Sequence, residues 1–582
     1  MKKGFRESLP SQFGMEIAIG AIDHLRRLYA APQEEGNRSS RLAHALKRVV
    51  AEKWRVHHWP AAFVEGLQEA RFPTDGMAPL DQLVSDGLFE EALAVAAAML
   101  PYRTRDETFL FTSIDVFRQT GAITFEAEAL WELMKGSPSP VLEKRRNALL
   151  GQIKETEPEW MPETALATEP RSFVEENRIL HLLKLSAPYR QSGYTMRSQY
   201  LIDGQRHLGL DPVAITAMGY PENINVTEFS PEDEIDGTTY YRLANPGQEL
   251  SDTFASYIEA YASAAAPLVG RLRPSVIHAH SGHRGYESAL VGMALAQKFD
   301  LPLVYEVRGF FESLWSRDRR WNERGEIYWR RIATENRCMR AAQAVVTLSE
   351  TMRGEIISRG IAPEKVFVVP NGVDPEKFQP GPRDQELVDR LGLQGAFVFG
   401  YVSNLDHRRE GQELLIEVIS HMTRRGVPSK ALIIGDGRRR EFLEAMANDM
   451  GVADRVVFTG QVPHDQVLSY YRLLDVFVVP RISERAARLV SPLKPFEAMA
   501  AGIPLVVSDL PALSELVGAS QRRGVTFHTG DSSSLADALV DLWGDAARRQ
   551  AMLEAARTWV LSERKWSDLA LRYSDVYAFA KI

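Results

Sequence analysis

The chain has 582 residues, 45% of them hydrophobic, 25% charged and 9% aromatic, which predicts three or four compact domains and excludes collagen-like, low-complexity and wholly disordered organisations. Its formal net charge of −8 leaves no basic excess to hold a phosphate backbone, so nucleic acid is not an expected partner. The single cysteine, Cys338, excludes an internal disulfide and a thiolate zinc cluster and fits a reducing compartment.

No apolar run approaches the ~18 residues of a bilayer span, and the opening MKKGFRESLPSQFG lacks an apolar signal core, so the expected location is cytoplasmic. Residues 1–150 carry helical periodicity: LDQLVSDGLFEEALAVAAAML sets Leu88, Ala92, Val95, Ala96 and Met99 on one face. An all-helical domain is expected there. Gly87 and Gly121 each precede an alanine-rich amphipathic stretch and are spaced like a tetratricopeptide helical pair of about 34 residues. An irregular helical bundle fits the same pattern, because a solenoid wants three repeats or more. The basic amphipathic segment around Lys47 reads as a solvated helix face or as a peripheral contact with anionic lipid at the inner face of a membrane. Proline and glutamate then accumulate in ETEPEWMPETALATEP, marking residues 151–177 as a linker.

From residue 178 short apolar runs alternate with amphipathic helices: RILHLLKL, VAITAM, SVIHAH, LPLVYEV, QAVVTLS and KVFVVP. The acidic run SPEDEID around Glu232 interrupts them as a solvated loop. A second series follows residue 380, with AFVFGYVS, ALIIGDG, RVVFTG, DVFVVP, IPLVVSD and GVTFHT. Each series predicts a doubly wound α/β unit, at 178–380 and 381–560, with ligand-facing loops at the carboxyl ends of its strands. Two such units facing one another leave a cleft. Residues 561–582 have the period of one amphipathic helix that packs back on the first unit.

Several motifs occur in order over the last 400 or so residues: SGYTMR, HAHSGH, YEVRG, VVPNGVD, IIGDG and PLKPFEAMAAGIPLVVSD. In these the chain resembles the retaining nucleotide-sugar glycosyltransferases of family 4, with a glycogen-synthase-like C-terminal domain. The resemblance implies the GT-B fold: two Rossmann-like domains facing across a cleft, here preceded by the all-helical domain. It implies transfer of a hexosyl group from a nucleoside diphosphate sugar to a glycan, a lipid-linked saccharide or another hydroxyl acceptor, with no metal. The alternative is a sugar-nucleotide-binding adaptor of little or no activity, whose helical domain recruits a protein partner.

The resemblance also implies roles for residues. Ser491, Leu493, Lys494 and Glu497 belong to the donor-binding segment, where a helix start offers amides and Lys494 a charge to the diphosphate, and Glu497 accepts ribose hydroxyls. The family's second glutamate falls on Leu489, and its two phosphate-neutralising cations fall on Asn404 and Glu410. Arg408 and Arg409 are expected to supply that charge from a shifted register, and Arg481 and Glu484 are the polar residues nearest the donor sugar. Gly435 and Gly437 are expected to give the nucleotide close access to the backbone, with Gln461 and Val462, after Gly460, over the base. Gly193 matches the flexible loop near the donor, and Arg197 is expected to reach phosphate. Asn371, in PNGVD, reads as mostly structural, at the hinge between the two units.

On the acceptor side, His278, His280 and His283 have the spacing H-x-H-x-x-H, but with no cysteine nearby a zinc site is not expected. His280 or His283 would orient the attacking hydroxyl, or be buried and satisfied. Arg308 stands where the family commonly has a histidine; a permanent cation is no general base but can bind an anion.

Overall fold

The computed structural model describes residues 77–100, 103–164, 174–244 and 254–582. The segment around Lys47, with the rest of residues 1–76, lies outside the described residues. Contacts divide the chain into two compact units: Met1–Thr164 with Asn245–Ser263 and Glu312–Arg337, and Ala165–Ala244 with Ala264–Phe311 and Cys338–Ile582.

In the first unit, helices run over Met77–Ser85, Phe89–Met99, Glu107–Thr120, Ile123–Gly136 and Pro140–Glu155. The turns follow from local chemistry. Asp106 caps the third helix by accepting from the Phe109 amide, and Gly121 ends it in the left-handed region at φ 72°. Leu80, Ala96, Phe109, Phe117, Leu130 and Leu133 form the core, and the buried Glu126 carboxylate is held by Arg145 at 2.8 and 3.0 Å. Two later stretches join this unit, which the order of the chain does not reveal; Glu326, for example, accepts from the Thr124 amide (2.9 Å) and pairs with Arg330 (2.7 Å). The expected linker at 151–177 is shortened at both ends, since a helix continues to Glu155 and a strand begins at Glu175.

The second unit contains two sheets. The first consists of β1 (Glu175–Leu183), β2 (Asp211–Thr216), β3 (Glu232–Ile235), β4 (Thr238–Tyr241), β5 (Pro274–His280), β6 (Leu303–Val307), β7 (Ala344–Thr347) and β8 (Val366–Val368), in the order β3-β4-β2-β1-β5-β6-β7-β8. The second consists of β9 (Phe397–Val402), β10 (Ser429–Ile434), β11 (Val456–Phe458), β12 (Val476–Val479), β13 (Leu505–Ser508) and β14 (Val525–Phe527), in the order β11-β10-β9-β12-β13-β14. All pairs are parallel except β3–β4. Every residue of β5, β6, β7, β9, β12 and β13 is buried, as expected of parallel strands covered on both faces.

SPEDEID is not a loop. Its Glu232–Ile235 forms the antiparallel edge strand β3, where alternating charges face solvent and Asp233 pairs with Arg242 at 2.9 Å. The last helix, Trp566–Ala580, lays Trp566, Leu569, Tyr573, Val576 and Tyr577 against Ile179, Val276, Val304 and Val346 of the first sheet. Among the described residues, no helix is long and apolar enough to cross a membrane.

Candidate functional site

Connectivity reverses once in each sheet, between β1 and β5 and between β9 and β12. Doubly wound sheets open a crevice at such points, beyond the carboxyl ends of the strands. In the second sheet the flanking connections are 403–412, after β9, and 480–493, after β12, the latter carrying the short helix Arg485–Leu489.

The second of these loops leads into helix Lys494–Ala500, with Pro495 in its first turn. The helix has only seven residues, so the chemistry rests on its side chains rather than on its dipole. Lys494 is half-buried, and no described residue forms a hydrogen bond or salt bridge with its ammonium. Burial lowers its pKa; Glu497 and Glu410 oppose that, and Arg481 adds to it. Glu497 accepts the Tyr471 hydroxyl on Oε2 at 2.7 Å, leaving Oε1 without a protein donor among the described residues, and burial raises its pKa. Ser491 is buried with its hydroxyl unsatisfied, and its carbonyl accepts from Asn371 Nδ2 at 3.0 Å. Leu493 contacts the first-sheet side: a Cβ on Gly193 would come within 2.9 Å of Leu493 Cδ1. Gly193 thus meets Leu493 and Asn371 meets Ser491, on the segment that leads into Lys494 and Glu497.

The loop after β9 corrects part of what the motifs implied. Glu410 supplies no cation and instead ties up Arg481 in a buried pair, with Arg481 Nε and Nη2 donating to its two oxygens at 3.0 and 3.1 Å. Tyr401 adds a hydroxyl at 2.5 Å, and Arg409 lies 3.5 Å away. Burial pushes the Glu410 pKa up, but Arg481, Tyr401 and Arg409 outweigh it and bring it down to about 2. Arg481, whose Nη1 also donates to the Val490 carbonyl (3.1 Å), therefore fixes the two loops to one another. Arg409 is half-buried beside this pair, whereas Arg408 is exposed. Asn404 is exposed and caps the turn by accepting from the Asp406 amide at 2.6 Å.

Gly435 and Gly437 serve packing rather than ligand access. Their φ values are 137° and 158°, and a Cβ on Gly435 would overlap the Ser403 carbonyl oxygen, while one on Gly437 would sit 2.5 Å from the Leu405 carbonyl carbon. The space is filled by the neighbouring loop. Gln461 is exposed and Val462 is half-buried against the second core.

Around the first sheet, Arg197 of the helix Gly193–His207, His280 at the end of β5 and Arg308 just after β6 are buried and committed to protein partners. Arg197 donates to Glu306 (3.0 Å), to the Pro370 and Val369 carbonyls (2.9 and 2.8 Å) and to Asn371 Oδ1 (3.2 Å), so it braces the segment before Asn371 instead of reaching phosphate. Arg308 donates to Glu306 (2.7 Å), Ser198 (2.6 Å), the Tyr194 carbonyl (3.1 Å) and His280 Nδ1 (2.7 Å).

Because arginine only donates, the rest of the network has one direction. His280 Nε2–H donates to His181 Nδ1 (2.9 Å), His181 Nε2–H to Gln205 Oε1 (2.9 Å), Gln205 Nε2 to the Tyr577 hydroxyl (3.0 Å), and that hydroxyl to His278 Nδ1 (2.8 Å). His278 Nε2 then faces Glu306 Oε2 at 3.5 Å. Burial, first of all, holds all three imidazoles below their usual pKa, so they are neutral. Burial also raises Glu306, but Arg197 and Arg308 overcome this and keep it ionised. The ligand atoms of His181, His278 and His280 lie within 4.8 Å of one another, yet every imidazole lone pair already accepts a hydrogen bond. Neither ring nitrogen of His280 is left for an acceptor hydroxyl. His283 is exposed, in an otherwise largely buried loop after β5.

Sequence reasoning missed His181, Gln205, Glu306 as a shared counter-ion, Tyr573, Tyr577, Tyr401 and Tyr471. The hydroxyls of Tyr573 and Tyr577 come from the last helix, at the far end of the chain from the strands they meet. Their only signal was two tyrosines one helical turn apart on the face of an amphipathic helix that also carries Trp566.

Residues 192–372 match the glycosyl transferase 4-like domain, and residues 396–545 match the family described as glycosyl transferases group 1. A GDP-mannose-dependent α-(1-6)-phosphatidylinositol monomannoside mannosyltransferase of Mycobacterium tuberculosis is 33% identical over 210 residues, 36% of this chain and 54% of the relative. Its counterpart in Mycolicibacterium smegmatis is 30% identical over 259 residues, 43% of this chain and 67% of the relative. The chain thus spans between about half and two thirds of the length of these curated relatives. Sucrose-phosphate synthase of Thermosynechococcus elongatus superposes with a TM-score of 0.55 at 20% identity, covering 69% of this chain and 98% of that one, a likeness of fold. With two largely parallel sheets in tandem, a reversal of strand order in each and both halves matched in order, the chain belongs to the group 1 glycosyltransferases and has their GT-B fold.

Proposed function

We propose that the protein is a retaining glycosyltransferase, moving a hexosyl group from a nucleoside diphosphate sugar to a hydroxyl of a glycan, a lipid-linked saccharide or another acceptor. The observation that carries this reading is the pair of groups after β12: a half-buried Lys494 ammonium that makes no hydrogen bond or salt bridge with a described residue, and Glu497 with one carboxylate oxygen that has no donor among them. A half-buried cation without a partner is costly unless a ligand supplies the anion. In this reading Lys494 meets the donor diphosphate and Glu497 accepts from ribose hydroxyls.

The acceptor oxygen forms its bond to the anomeric carbon on the face from which the β-phosphate departs, and the phosphate oxygen takes the acceptor proton. Lys494 counters the charge that develops on the leaving group, and closure of the crevice excludes water. No resident metal is part of this scheme. The buried Cys338 fits a reducing, cytoplasmic setting. No observation favours a binding-only adaptor.

A thermal-shift screen of GDP-mannose, UDP-glucose and ADP-glucose is expected to raise the unfolding midpoint for one donor, since ligands of the folded state stabilise it. With that donor, Glu497→Ala and Lys494→Ala are each expected to lower kcat/KM by about a hundredfold or more. NMR of the product should show the donor's anomeric configuration. An inverted product would remove the retaining assignment, and turnover unaffected in both variants would remove the site.

A further inference from the structure

Lys184 follows β1 directly, and its ammonium donates to the Gly282 carbonyl in the loop after β5 at 3.1 Å. It therefore spans the point where strand order reverses in the first sheet, the place where doubly wound sheets bind ligands. The side chain is half-buried between two rings, Tyr194 at 4.7 Å and Phe311 at 5.0 Å. Tyr194 adjoins Gly193, which abuts Leu493; Phe311 packs on Gly309, which faces Val490. The ammonium accordingly lies beside the same crevice as the loop that carries Lys494.

Among the described residues no carboxylate forms a salt bridge with this cation, and the nearest negative charge, Glu287, acts on it only at longer range. One carbonyl satisfies one of its three N–H groups, and the nearby Glu287 carboxylate is committed to the amides of His283 and Arg284. The other titratable or charged groups facing it are Tyr194, Arg308 and His283. Burial brings Lys184 down to about 8, so it is charged at neutral pH.

We propose that Lys184 anchors an anion subsite at the β1–β5 switch point, which takes a phosphate or carboxylate group of a substrate bound in the crevice. This rests on the reading that the crevice holds a sugar donor and an acceptor, and it adds a ligand class on the first-sheet side. The anion is either the donor's own phosphate or a charged group on the acceptor.

Titration calorimetry of the full chain with inorganic phosphate tests it, alone and with the stabilising nucleoside diphosphate at saturation. Lys184→Met is expected to weaken phosphate by about tenfold, the equivalent of one charge-assisted contact, while Lys184→Arg retains it. In the wild type, affinity should fall as pH rises through about 8, because the free ammonium loses its proton; in Lys184→Arg this fall should be absent. Competition between phosphate and the nucleoside diphosphate, with Lys184→Met weakening both, assigns the subsite to the donor. Binding of both together, with only phosphate weakened, assigns it to the acceptor. Equal binding of phosphate and nucleoside diphosphate by wild type and Lys184→Met overturns the proposal. If Lys184→Met does not fold, an alkaline fall that persists in Lys184→Arg overturns it instead. A wild type that binds phosphate through Lys184 but no nucleoside diphosphate keeps the subsite and removes the transferase reading.

Discussion

Glu410 shows how a single position can reverse its charge and keep its place in a crevice. A lone carboxylate buried at 7% exposure would be driven to protonate. Arg481 grips both of its oxygens, and Tyr401 donates to one. Folding lowers its pKa from 4.5 to about 2, so its contribution is complete above about pH 4.5 and is lost as pH falls through about 2. A shift of that size corresponds to about 3 kcal/mol. Glu410→Gln keeps the shape and removes the charge, leaving the Arg481 guanidinium buried without a counter-ion. Denaturant unfolding is expected to show the variant about 3 kcal/mol less stable at pH 7, with the gap narrowing towards pH 2. A gap that does not change with pH would mean the ion pair is not what stabilises the two loops.

At the scale of elements, the strands were legible and their neighbours were not. Runs such as AFVFGYVS and DVFVVP are almost continuously apolar because both of their faces are covered, and that pattern survives in a sequence. SPEDEID misled because an edge strand needs few apolar residues and tolerates charge. The motif IIGDG was visible, but its reason was not, since the atom that requires Gly435 is the Ser403 carbonyl oxygen of another strand's loop. Gly435→Ala would meet that oxygen and also hold φ at 137°, where a side chain is strained. The expected cost is about 2–4 kcal/mol, in the range of other backbone-incompatible substitutions, measurable as a lower denaturation midpoint. If the glycine served only ligand access, stability would be unchanged and donor affinity alone would fall. Of the candidate site, Lys494 and Glu497 were singled out by their motif, and the structure leaves their charged groups little committed to protein partners. The roles of Arg197, His280 and Arg308 were not legible, because the partners that occupy them are set by strand order and by a helix hundreds of residues away.

Across the whole molecule, the end of the chain completes what the first strands begin. The helix Trp566–Ala580 follows the second sheet, yet its apolar face covers the first, and its two tyrosines close the buried network around Glu306. The Tyr577 hydroxyl has two duties there: it accepts from Gln205 and donates to His278. In Tyr577→Phe, a buried amide N–H and a buried ring nitrogen both lose their partner at nearly constant volume. Each unsatisfied group costs about 1–3 kcal/mol, so the loss is expected to be about 2–6 kcal/mol in total. Because these partners belong to β5 and the helix Gly193–His207, and Gln205 in turn accepts from His181 of β1, the loss should be local. Hydrogen exchange followed by mass spectrometry is expected to show faster exchange over β1, β5 and the last helix, with β9, β10, β12 and β13 unchanged. Equal acceleration in both sheets would show instead that the two fold and open as one cooperative body, with the last helix acting on the whole unit rather than on the sheet it covers.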